Sequence, residues 1–270
     1  MNRAYLVYGA LAVGLGIAVV AVLFVYPFSL SAPHPSGDAA ETFTTPNATA
    51  YTATGAIHAD EELFISFTAH VTAGSGQYYL TEAPNVTVER VAPPDRDGVI
   101  YARYRYAIDD RANETIARIE DDEDETIVEM ETRADENEYV FFTAENASAG
   151  ALRQSTESVS SLVVTNLYRL QYREIETTAG GERVTFEPRD GWYDGATPYR
   201  ITDSDGHVEV SSASYEIQDV DVEYTYTRNT PTYIHYLVNR DDTATLAFTY
   251  TFTDEQPDVP EPDWVSDIEG

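Results

Sequence analysis

Cysteine and lysine are missing altogether from this 270-residue chain. Without cysteine there is no disulfide, thiolate metal site, cysteine nucleophile or lipid-modified cysteine anchor. Without lysine there is no phosphate-binding P-loop lysine, Ser–Lys dyad, Schiff base or kinase-type lysine. Positive charge is scarce as well. The 16 basic residues, all arginine, face 47 acidic ones, for a net charge of −31. No basic patch is available for nucleic acid, and anionic headgroups would be repelled. No Gly-x-Ser-x-Gly elbow occurs, because Gly74-Ser75-Gly76 is flexible-turn composition. Molar salt shortens the Debye length to about 3 Å and removes the self-repulsion of such a surface. The composition therefore points to an extreme halophile, with the acidity serving as solvent adaptation.

One stretch has no charge at all. Tyr5 to Phe28 is apolar apart from glycines and edge tyrosines. It is long enough for a single helix to cross the ~30 Å hydrocarbon core of a bilayer. Tyr5, Tyr8 and Tyr26 stand near its ends, where aromatic rings favour the headgroup level. Arg3 precedes it, and the next basic residue is Arg90, so residues 1–4 are expected in the cytoplasm and the rest outside the cell. A cleaved signal peptide is the competing assignment, but its apolar region would be shorter. Ala10, Gly14 and Ala18 repeat at four-residue spacing, which permits a weak helix-paired homodimer. Ser29 to Ala50 carries Pro33, Pro35 and Pro46 and predicts an extended linker. Roughly 210 residues remain, enough for one domain with a sizeable core.

From Tyr51 the apolar period is two. Leu63, Ile65, Phe67, Ala69 and Val71 alternate with polar partners, predicting a half-buried strand over Leu63–Thr72. Similar strands are expected at Gln77–Thr81, Asn85–Val91, Val99–Ile108, Thr115–Ile119, Thr126–Thr132 and Glu138–Thr143. After a break they resume at Arg173–Thr177, Arg183–Glu187, Tyr199–Thr202, His207–Ile217, Val220–Thr227, Thr232–Val238 and Thr245–Thr253. Ala179-Gly180-Gly181-Glu182 and Asp203-Ser204-Asp205-Gly206 carry hairpin signals. Ala149 to Leu170 is the exception. Leu152, Val159, Leu162, Val163, Leu167 and Leu170 approximate helical spacing, so one amphipathic helix is expected to cover the sheet. The fold class is mainly β (α+β): a transmembrane helix, a linker, a β-rich outer domain over 51–253 and an acidic, proline-containing tail over 254–270. A β-sandwich is the alternative.

This order of parts resembles the haloarchaeal LolA-like surface proteins, relatives of the bacterial lipoprotein carriers. The likeness rests on Tyr51-Thr52-Ala53-Thr54-Gly55, Gln77-Tyr78-Tyr79 and Val99-Ile100-Tyr101-Ala102-Arg103-Tyr104. Further on it includes Asp203 to Val208 leading to Tyr215, then Pro260-Glu261-Pro262-Asp263-Trp264-Val265. The chain departs from the family in replacing the lipidated cysteine with a helix, and in lacking a clear helix before the first strand. The resemblance implies a curved antiparallel half-barrel with helices over an apolar concave side that holds acyl chains. On that basis Leu152, Val159, Leu162 and Val163, with Trp192 and Tyr193, are the candidate ligand contacts. Catalytic activity, a cofactor and a bound metal are not expected.

Other motifs have simpler explanations. Asn47, Asn85, Asn113 and Asn146 each begin an Asn-x-Ser/Thr sequon, a candidate glycosylation site on an exported domain. Asp203-Ser204-Asp205-Gly206 lacks the further ligands of a calcium loop, and the run Glu120–Glu125 is expected to be a solvated loop. The five histidines show no metal spacing. Glu187, Asp190 and Asp194 beside Trp192 and Tyr193 leave open a remote sugar-binding or glycoside-acting alternative. The leading expectation is a non-enzymatic, membrane-anchored surface protein binding a lipidic ligand. The alternative is a structural or partner-binding domain with a filled core.

Overall fold

The computed structural model describes residues 43–73, 76–96, 98–147, 160–177, 181–193, 199–228, 230 and 232–269. The expected membrane helix, its Ala10, Gly14 and Ala18, and the first part of the linker lie outside these residues. Among the described residues no helix is long and apolar enough to cross a membrane.

Thirteen strands form one antiparallel sheet. They are β1 (Tyr51–Ala59), β2 (Glu62–Val71), β3 (Gln77–Ala83), β4 (Val86–Ala92), β5 (Ile100–Ala107), β6 (Glu125–Arg133), β7 (Glu138–Glu145), β8 (Gln171–Thr177), β9 (Arg183–Arg189), β10 (Gly191–Tyr193), β11 (Tyr199–Ser211), β12 (Ile217–Thr227) and β13 (Thr243–Thr253). Their spatial order is β6-β7-β5-β4-β3-β2-β1-β13-β12-β11-β9-β8, with β10 added to β11. β6 and β8 end this path without pairing to each other, so the sheet is open. Nine of the twelve neighbouring pairs are consecutive in sequence, the exceptions being β5 with β7, β1 with β13 and β9 with β11, which is why alternation and turn residues alone locate most strands.

Alternation sets the two faces. Cross-strand partners share a face, so Phe67 and Ala69 of β2, Tyr79 of β3, Arg90 of β4, Ala102 and Tyr104 of β5 and Phe141 of β7 all lie on one side, the inner face. The main core fills that side with Ala53, Ile57, Phe67, Val208, Val220, Val222, Tyr224, Phe248 and Tyr250. Gly55 is required there, because a Cβ would stand 2.6 Å from the Phe67 ring and 2.9 Å from the Thr249 carbonyl.

Four helical segments are described: α1 (Asp110–Glu120), α2 (160–167), α3 (Tyr233–Asn239) and α4 (Asp263–Glu269). α2 is the described part of the expected covering helix, and Val163, Val164 and Leu167 join the main core. α1 replaces the strand expected at Thr115–Ile119. Asp109 caps it, accepting from the amides of Arg111 (2.9 Å) and Ala112 (3.2 Å), and Ala112 and Ile119 are its buried side chains. α3 replaces the strand expected at Thr232–Val238. Its β-branched and aromatic composition suits a strand, but the seven residues curl into the connection between β12 and β13.

Asp203-Ser204-Asp205-Gly206 is not a turn. It runs inside β11, where Asp203 and Asp205 are exposed while Val208 and Val210 are buried. Gly206 has φ +105°, and a Cβ there would lie 1.8 Å from the Asp221 carbonyl of β12. The actual turn is residues 212–216, with Tyr215 at φ +55°. The linker also ends earlier than its composition suggests. Phe43 is fully buried against Tyr172 and Phe186, and Thr44 bridges Glu216.

Candidate functional site

The inner face is not uniformly apolar. Between the main core and a second cluster under α1 runs a polar band contributed by β4, β5, β6 and β7. Its centre is Glu125, 5 % exposed at the start of β6. One carboxylate oxygen, Oε1, accepts from Tyr104 Oη at 3.0 Å and from Thr143 Oγ1 at 2.8 Å. The other, Oε2, lies 3.6 Å from the guanidinium of Arg118 on α1. Arg90 donates to Tyr104 Oη at 3.1 Å. Burial disfavours the Arg90 charge, but Tyr104, Glu145 and Glu125 together hold its pKa above the usual guanidinium value. Burial pushes the Glu145 carboxyl up, with Arg90 opposing the shift and Glu125 adding to it. Burial likewise raises the Tyr104 phenol, against the pull of Arg90. Gln77, also buried on the inner face, has no hydrogen-bond partner for its Oε1 among the described residues. Buried ionisable groups on a face meant for packing are a signature of functional surfaces.

Beside this band, α1 and β6 stand apart over a groove of about 370 Å³. Ile116 and Ile119 of α1 form one wall, Ile127 and Met130 of β6 the other, and Glu120, Asp122, Glu125 and Thr126 complete the lining. Ile119 is fully buried and Met130 is 54 % exposed, so the groove runs from the core to solvent. A floor of stacked rings, Tyr104, Phe141 and Tyr106, with centroids 4.8 Å and 6.0 Å apart, supports α1 from the sheet. Glu125 is common to groove and band. A half-open groove of this volume, apolar along Ile116, Ile119, Ile127 and Met130 and acidic along Glu120, Asp122 and Glu125, can take a hydrocarbon chain on one side and orient a polar group on the other.

Comparison with family models, with curated proteins and with solved structures returns no match to this chain.

The side chains singled out from the sequence are scattered by comparison. Val163 is fully buried in the packed core, and Leu162, expected on the same inward stripe, is 37 % exposed. Leu152 and Val159 lie outside the described residues. Trp192 and Tyr193 sit in β10, opposite Arg200 and Tyr199 of β11. Glu187 is ion-paired with Arg173, and Asp190 accepts from Ser204 at 3.1 Å. These two acids share a shallow hollow of about 260 Å³, while Asp194 lies outside the described residues. All four sequon asparagines, Asn47, Asn85, Asn113 and Asn146, are exposed. Asn85, at φ +66°, lies in the connection between β3 and β4.

Sequence reasoning missed the groove because it rested on reading residues 115–119 as a strand. The signal was present: Asp109 as a cap, then Ala112, Ile116 and Ile119 at helical spacing. It also treated Glu120–Glu125 as one solvated loop, whereas the last acid of the run turns inward.

Proposed function

We propose that this chain is a non-enzymatic, cell-surface domain that holds an apolar or lipidic ligand in the groove between α1 and β6. The observation that carries this is the groove itself, with Ile116, Ile119, Ile127 and Met130 forming a continuous apolar side that runs from buried Ile119 to exposed Met130, on the helix-covered face of an open antiparallel sheet. This arrangement supports a LolA-like half-barrel, in which helices and sheet enclose an acyl chain. The ligand site then lies under α1 and not under the segment 149–170. Glu120 and Asp122 at the groove favour a ligand with an uncharged or cationic head, because an anionic one would meet like charge. The Tyr5–Phe28 span tethers the domain to the outer side of the membrane of an extreme halophile, the N-terminus remaining cytoplasmic. The exposed asparagines at positions 47, 85, 113 and 146 are available for glycosylation.

A second reading, a partner-binding domain without ligand, is favoured by β6. Among the described residues this strand pairs only with β7 and carries Val128 and Met130 exposed, a geometry suited to strand addition. Lipid extraction separates the two. Full-length protein is purified in molar salt alongside an Ile127→Glu variant, and each extract is analysed by mass spectrometry. A carboxylate in place of Ile127 removes half of the apolar wall on β6 and adds a fourth acid to the groove, so the variant should yield at least about tenfold less ligand. Equal lipid from both proteins would mean that it clings to the membrane span and not the groove. The partner-binding reading would then stand.

A further inference from the structure

The outer face of the sheet bears a second built site, distant from the groove in residue set and in side. Glu89 of β4 points there, its side chain 8 % exposed. It accepts from Tyr78 Oη of β3 at 3.0 Å and from the indole Nε1 of Trp264 at 2.8 Å. Arg103 of β5 closes on it at 2.7 Å and lies over the Trp264 ring, 5.8 Å from its centroid. Val91, Tyr78, Tyr101 and Phe142 form the apolar walls that receive Trp264, Val265 and Ile268. The occupant is thus the chain's own C-terminal helix α4, which ends the acidic, proline-containing tail of residues 254–270.

We propose that this seat is an exchangeable docking site, and that the same C-terminal segment of a second copy of this chain occupies it in trans. Three observations carry the proposal. First, α4 has seven residues, too few to be a stable helix alone, so its structure comes from the seat. Second, the connection 254–262 forms neither helix nor strand, is mostly exposed and contains Pro257, Pro260 and Pro262. Nine extended residues reach ~30 Å, whereas β13 and β4 are four strand spacings apart, about 19 Å. The connection therefore has slack. Third, charge matches. In a chain of net charge −31, Arg96 at the rim of the seat lies 3.5 Å from Glu261 of the acidic tail, while Arg103 inside it is paired with Glu89.

Exchange keeps every contact and changes only which chain supplies it, so its cost is the loss of the linker's proximity advantage. That advantage corresponds to an effective concentration in the millimolar range for a short flexible connection. Copies in dilute solution therefore hold their own tails, and crowded copies trade them.

The test mixes equal amounts of light and ¹⁵N-labelled full-length chains, each carrying a photo-crosslinking benzoylphenylalanine in place of Ile268. Cross-links are mapped by mass spectrometry at micromolar and at about millimolar protein. Links between light and heavy chains, joining the tail to β3–β5 peptides, should rise from near none to roughly a quarter of the total, since about half of the seats then hold a tail in trans and half of those pairs join unlike chains. Cross-links confined to single chains at millimolar protein would overturn the proposal. A second measurement needs no photoreactive residue: a synthetic peptide of residues 254–270 is titrated into full-length Trp264→Ala and into wild type. The vacated seat should bind at least about tenfold more tightly than the occupied one. Equal binding to both proteins, or equal binding of a scrambled peptide, would also overturn it.

Discussion

At the scale of single residues, the buried acids separate this molecule from an ordinary packed sheet. Glu89 and Glu125 face opposite sides, and each is held by a tyrosine hydroxyl and an arginine. Removing one partner from such a group leaves an uncompensated charge, typically costing 3–5 kcal/mol. Glu145 behaves differently, because burial raises its pKa above the ordinary 4.5. A group whose folded pKa is raised favours folding below the unfolded value, and that contribution is lost as pH rises through the folded one. Glu145→Gln should therefore melt at a higher temperature than wild type at pH 7. The difference should shrink towards zero below about pH 4.5. Thermal melts across that range check it, and a variant less stable at pH 7 would show that the Arg90 attraction outweighs burial.

At this scale the sequence was least informative. An Asp or Glu looks the same whether solvated or buried, and Glu125 differs from its neighbours only because β6 begins there. Trp264 is similar: proline and acid around it suggested a tail, and only the partner Glu89, 175 residues away, makes it an anchor.

At the scale of elements, strands were legible and short helices were not. β2 to β9, β12 and β13 fall where period-two alternation or turn residues place them, whereas β1, which opens the sheet at Tyr51, is not among the expected strands. α1 and α3 were hidden because runs of isoleucine, threonine and tyrosine score as strand whatever they form. In α1 the cap decides. Asp109 satisfies two amides that a strand would leave to a neighbour, so Asp109→Ala should lower stability by about 1 kcal/mol. The same change should loosen the Ile116–Ile119 wall of the groove. Chemical denaturation in molar salt measures the first effect, and hydrogen exchange in residues 110–120 the second. Unchanged protection there would show that packing on Tyr104 and Phe141 holds the helix without its cap. The run Asp203–Gly206 erred the other way. Its aspartates are exposed strand residues, and its glycine answers a close approach by the backbone of β12, which sequence cannot display.

At the scale of the whole molecule, one open sheet carries a packed core on its inner face, a groove at one edge of that face and a docked tail on the outer one. Charge acts on all three together. With 47 acids against 16 bases, desalting lengthens the range of repulsion from ~3 Å at 1 M to ~30 Å at 10 mM. Dialysis to low salt should reduce the near-ultraviolet circular dichroism of the packed tyrosines and lower the melting temperature. Spectra and melts unaffected by desalting would mean that the acidity is carried without any dependence on salt.

The groove tests the account most directly, and the absence of cysteine makes it accessible. Met130→Cys, at the mouth, introduces the sole thiol of the full-length chain, and a polarity-sensitive fluorophore attached there reports what enters. Titration with a long-chain fatty alcohol, uncharged and single-chained, should give a saturable blue shift that is abolished by adding Ile127→Glu. A signal that rises without saturation, or that persists unchanged in the Ile127→Glu protein, would contradict a ligand site between α1 and β6.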